Sequence, residues 1–129
     1  MSFHMEKGDS ADIGFATTCL IASVISFDEF KEWLYLVIEK SDEVPSYVFD
    51  LLDVEEKFSY TLKTRDFMGF HPSWDCTVEE EMALDGIGFK RFENFRSDAS
   101  MRADAAEALE KHSYIEEKFR NFFPFIDLA

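Results

Sequence analysis

Cysteine is scarce in this chain of 129 residues: Cys19 and Cys76 are the two, and they lie far apart. Two thiols at that separation make no disulfide framework. Cys19 sits in an apolar run and reads as a small core residue. No CxxC, HExxH or EF-hand loop is present, and there is no Glu-x-x-His of the kind that holds two metals in a helical bundle. The sequence also has no GxSxG, and Gly86-Ile-Gly88 lacks the third glycine and the preceding strand that a phosphate cradle needs. No catalytic residue, metal or cofactor is assigned, and the chain is expected not to be an enzyme.

Basic residues are few as well. Thirteen Lys and Arg stand against 27 Asp and Glu, for a formal charge of −14 and a pI near 4.4. Such a field repels nucleic acid and anionic membrane, attracts basic partners and speeds their encounter. The densest basic group, Lys90-Arg91 with Arg96, is interleaved with Glu93 and Asp98 and reads as local pairing. Long apolar runs are missing too: FATTCLIASVI is too short to span a bilayer. The opening MSFHMEKGDSADIG has no basic start followed by an apolar region, so a cytoplasmic, reducing location is expected.

What is present is apolar and aromatic bulk. Hydrophobic residues make up 47% and aromatics 16%, with fifteen phenylalanines. That supply of buriable area separates the chain from disordered acidic sequences and predicts one packed domain over 1–129, with 1–8 a loose start. Strand-type alternation is nearly absent, and helix starts recur. Asp9 or Ser10 opens a first helix to about Val24. Ser26-Phe-Asp-Glu29, Thr77-Val-Glu-Glu80 and Ser113-Tyr-Ile-Glu116 each match a capping box, in which the hydroxyl takes a first-turn amide and the glutamate reaches back.

The helix after Ser26 puts Phe27, Phe30, Leu34, Val37 and Ile38 on its core face, widened by Trp33, Tyr35 and Leu36. A short helix follows Pro45 through Val54 and extends toward Leu62. Another starts at Ser97, with Met101, Ala105, Ala108, Leu109 and His112 on one face. The expected class is all-α, a single-domain bundle of five to six helices with an irregular, aromatic-rich central loop, TRDFMGFHPSWDCT. Two features stay open. Asp85-Gly-Ile-Gly88 is poor helix material, so either the helix breaks, a neighbour approaches closely, or 86–95 forms a short strand pair. The group His71 to Cys76 offers imidazole, carboxylate and thiol, but the second ligand pair of a zinc finger is missing.

The acidic clusters carry the most information. From Glu39 to Glu56 the chain has Glu39, Asp42, Glu43, Asp50, Asp53, Glu55 and Glu56 against one lysine, with Tyr47 and Phe49 among them. Glu79, Glu80, Glu81 and Asp85 form a second group. Solvation, capping and helix-dipole roles account for Glu29, Glu80 and Glu116. Nothing nearby in sequence balances Asp42, Glu43, Asp50 and Asp53. Carboxylates with aromatic anchors suit a basic protein partner, so Asp42, Glu43, Tyr47, Asp50, Asp53, Glu55 and Glu56 are the candidate partner-binding residues.

On SFDEFKEWLYLVIEKSDEVPSYVFDLLD, a capped helix, an acidic proline turn and a second short helix, the chain resembles the immunity proteins of bacterial toxin systems. These include contact-dependent growth inhibition and the colicins. The resemblance implies a cognate toxin domain, usually a basic nuclease, neutralised by covering its active site or its nucleic-acid-binding surface. It carries over no individual residue. The alternatives are an acidic helical adaptor for another basic protein and, third, a small enzyme or metal-binding protein.

Overall fold

The computed structural model describes residues 3–97 and 100–128, apart from the side chains of Phe58 and Leu62. Among the described residues there are eight helices and no strand; an isolated bridge pairs Glu6 with Asp9. The all-α expectation holds, with more and shorter helices than expected. The helices are α1 (Ala11–Ile21), α2 (Phe27–Lys40), α3 (Tyr47–Leu52), α4 (Lys57–Leu62), α5 (Thr64–Met68), α6 (Val78–Arg91), α7 (Arg102–Lys111) and α8 (Tyr114–Phe122). The chain gathers into two compact units: Met1–Ile21 with Ser26–Asp75, and Ala22–Ile25 with Cys76–Ala129.

In the first unit, α1 buries Ile13, Phe15, Ala16, Cys19 and Leu20, and α2 buries Phe30, Trp33, Leu34 and Val37. Ser26 caps α2 through the expected capping box, its hydroxyl accepting from the Glu29 amide while the Glu29 carboxylate accepts from the Ser26 amide. Tyr35, expected on the core face, is 59% exposed, because its position turns away from the stripe that Phe30, Leu34 and Val37 define. Tyr60, from α4, stacks on Phe30 at 5.3 Å, and its hydroxyl meets Thr17 Oγ1 at 2.8 Å deep in this core.

The central stretch that reads as one loop contains α5, which ends on Gly69 in the left-handed conformation (φ +82°). The irregular part that follows is docked on α1. Gly14 makes this fit: a β-carbon there would lie 2.3 Å from the Ser73 carbonyl carbon. Ser10 Oγ accepts from the Ser73 amide, and Trp74 meets Phe15 edge-on at 4.8 Å. The start of the chain, expected to be loose, is tied down over its described part. Met5 is buried, its carbonyl accepts from the Tyr47 hydroxyl at 2.6 Å, and the His4 amide donates to Asp12 Oδ2.

The second unit is built on α6, which packs along α7 and, over a shorter stretch, α8. Helix α6 runs unbroken through Asp85-Gly-Ile-Gly88, so neither a break nor a strand pair forms there. The close-approach alternative is the one realised. A β-carbon on Gly86 would sit 2.6 Å from the Ala105 carbonyl oxygen of α7, and one on Gly88 would meet the Phe95 ring. Glycine costs α6 about 1 kcal/mol per position in propensity, and the helix packing it permits offsets that. Helix α7 starts at Arg102, later than the sequence suggests, and Met101 is 76% exposed instead of facing the core. The Ser97 hydroxyl donates to the buried Asp85 carboxylate at 2.7 Å and accepts from the Ser100 amide. Asp98 and Ala99, also placed in that helix start, lie outside the described residues.

Candidate acidic interaction surface

The two acidic groups are alike in sequence and differ in three dimensions. The second is occupied by its own fold. Glu79 Oε2 accepts from His112 Nε2 at 2.6 Å, a contact that pulls the Glu79 carboxyl below its ordinary value. Glu80 closes the Thr77 capping box and accepts from the Tyr114 hydroxyl at 2.8 Å. The Thr77 amide first, and then that hydroxyl, depress its carboxyl, while the same contact raises the Tyr114 phenol. Glu81 accepts from Cys76 Sγ at 3.5 Å, and Asp85 is buried on Ser97. The linked side chains of Glu79, His112, Tyr114 and Glu80 tie the start of α6 to the α7–α8 turn. Spacing along the chain gives no sign of this arrangement, because its members lie more than thirty residues apart.

The first group is free of such ties. Asp42 and Glu43 lie on the turn between α2 and α3, and Asp50 is on α3. Asp53 is its C-cap, and Glu55 and Glu56 lead into α4. All six are exposed, and none forms an ion pair or side-chain hydrogen bond with a described residue. Local helix chemistry explains only part of this. Glu56 at the start of α4 suits the positive end of a helix, but Asp53 sits at the negative end of α3, where a carboxylate is disfavoured by about 0.3–1 kcal/mol. Lys57, the cation next in sequence, is half-buried, and burial lowers its pKa.

Tyr47 does not belong to this surface. It is 7% exposed, packs edge-on against Phe70 at 6.0 Å and spends its hydroxyl on Met5 O. Burial pushes its phenol well above the ordinary value. The exposed aromatic among these acids is Phe49, at 52%. The reason is geometric: α3 buries Tyr47, Val48 and Leu51 and turns Phe49 and Asp50 outward.

His71 is exposed, Cys76 is engaged with Glu81, and no three His, Cys, Asp or Glu side chains converge on a metal-sized site among the described residues. No described helix is long and apolar enough to cross a membrane. No protein-family model, curated protein or solved structure matches the chain. Among the described residues the fold is all-α, and the exposed carboxylates from Asp42 to Glu56 make no side-chain contact with another described residue.

Proposed function

We propose that this chain is an acidic binding protein that recognises a basic protein partner through the surface from Asp42 to Glu56, in the manner of an immunity protein neutralising a nuclease toxin. The observation that carries the reading is the contrast between the two acidic groups. Glu79, Glu80, Glu81 and Asp85 are engaged within their own fold, whereas Asp42, Glu43, Asp50, Asp53, Glu55 and Glu56 are exposed and make no side-chain contact with a described residue, and Phe49, in the same stretch, is exposed as well. Like charges concentrated in one short stretch of chain raise the folded state's energy, and a cationic partner relieves it. Carboxylates steer the approach, and an exposed ring supplies a desolvated anchor.

The test is binding and protection against the C-terminal toxin domain of a large secreted protein encoded by the adjacent reading frame. The intact chain is expected to form a one-to-one complex with that domain and to block its nuclease activity. Asp50→Lys with Asp53→Lys is expected to weaken the complex at least about tenfold, the scale of a lost pair of interfacial charges. Helical circular dichroism should not change. Undiminished affinity of the double variant would move the interface elsewhere, and absence of any complex would leave an acidic adaptor for another basic protein.

A further inference from the structure

Next to the acidic turn lies an open groove of about 680 Å³. Its accessible apolar lining comes from the half-buried Phe3, Val44 and Pro45, with Met5 and Val37 buried beneath them. Glu6, Asp42 and Glu43 also line it, and all three are exposed. The wall formed by Phe3, Met5 and Glu6 is held by the Tyr47 hydroxyl on the Met5 carbonyl, by the His4 amide on Asp12 and by the Phe3 ring against Trp33.

We infer that this groove takes an extended segment of a partner protein in which lysine or arginine alternates with aliphatic residues; the inference rests on the proposed binding role of the neighbouring acidic face and names the chemistry it reads. In an extended chain successive side chains point to opposite sides. One set then fills the apolar lining while the other reaches the three carboxylates. A uniformly basic segment leaves Val44 and Pro45 wet, and a uniformly apolar one leaves the carboxylates without a counter-charge. A second copy of this chain is a poor occupant, since it brings a formal charge of −14 against the same acids. An anionic lipid surface fails for the same reason.

The experiment uses the full chain and two short fluorescein-labelled peptides of equal charge, one alternating lysine with leucine and the other lysine with serine, followed by fluorescence anisotropy. The lysine–leucine peptide is expected to bind at least about tenfold more tightly, the order that burying one aliphatic side chain supplies. Val44→Asp should abolish that preference. The isosteric Val44→Thr, which keeps the shape of the site, should reduce it. Asp42→Lys with Glu43→Lys should weaken the lysine–leucine peptide about tenfold, whereas Asp50→Lys with Asp53→Lys should leave the ratio between the peptides unchanged. Equal binding of the two peptides, no binding of either, or indifference to both Val44 variants overturns the groove. So does a dimer in sedimentation that Val44→Asp dissociates, because a second copy is then the occupant. A peptide preference without any toxin complex would sink the immunity reading and leave the groove standing, and a complex untouched by the Val44 variants would do the reverse.

Discussion

Tyr47 and Phe49 stand two residues apart on one short helix and have opposite fates. Two helical steps turn the side chain by roughly 200°, so a helix packed on one side cannot bury both. Charge and aromatic spacing place both among the acids, and nothing in the sequence says which ring faces inward. The deciding contact is Met5 O, forty-two residues away. For the same reason Phe3, Met5 and Glu6 are invisible as groove residues: they line it only once contacts to distant residues, Asp12, Trp33 and Tyr47 among them, fix the start of the chain. Only the exposure of Asp42, Glu43, Asp50 and Asp53 was legible, because a solvated carboxylate needs no distant partner. Tyr47→Phe tests this division. It keeps the ring packing against Phe70 and removes the hydroxyl that donates to Met5 O, so it is expected to lower stability by about 1 kcal/mol, the net worth of a buried hydrogen bond. Urea unfolding followed by circular dichroism reads that loss, and an unchanged midpoint would mean that solvent replaces the Tyr47 hydroxyl at Met5.

At the scale of elements, the starts of α2 and α6 were legible because a capping box is a local bond between residues three apart. The start of α8 was legible in position, since Ser113 is its N-cap, but the capping box expected there does not form. Ser113 is in the helical conformation (φ −58°, ψ −21°) and makes no side-chain cap, and Glu116 is drawn away to Lys90 of α6 at 2.6 Å. A partner twenty-six residues distant outweighs the local pattern. Ser26→Ala should therefore cost about 1 kcal/mol, while Ser113→Ala should cost close to nothing; equal losses in urea midpoints would contradict the geometry. The Glu116 contact has its own signature in pH. Lys90 holds the Glu116 carboxyl below its ordinary 4.5, so the folded state favours the carboxylate. The stabilisation is fully present above that ordinary value and is lost as pH falls through the depressed one. Glu116→Gln is expected to unfold at lower urea at neutral pH and to show a shallower decline as the pH falls below the ordinary carboxylate value. A decline as steep as that of the parent chain would mean that Glu116 does not bind protons differently in the two states.

For the whole molecule, fold class was legible because the absence of alternation and the recurrence of helical spacing are properties of every segment. Helix number was not, since Val54-Glu-Glu56 and Lys63 interrupt a continuous apolar pattern without a proline or glycine to announce it. Net charge needs no structure to be read, but the placement of the ion pairs does. The described pairs are exposed or half-exposed contacts such as Lys111–Glu107 and Arg120–Glu116, of the kind that contributes little in water. Most of the 27 carboxylates therefore act as a field of one sign that opposes compaction, and Asp50, Asp53, Glu55 and Glu56 contribute to it with no ion pair to a described residue. Added salt screens that repulsion: the Debye length shrinks from about 30 Å at 0.01 M to about 8 Å at 0.15 M. Raising sodium chloride across that range is expected to increase the thermal midpoint in calorimetry, the reverse of what a protein held by surface salt bridges does. Asp50→Lys with Asp53→Lys takes the formal charge from −14 to −10, so the double variant should gain less from salt than the parent chain. A midpoint that falls with salt would show that attraction, carried by pairs such as Lys90–Glu116, outweighs repulsion. The acidic stretch would then be no burden on the free protein, and a cationic partner would have no repulsion to relieve.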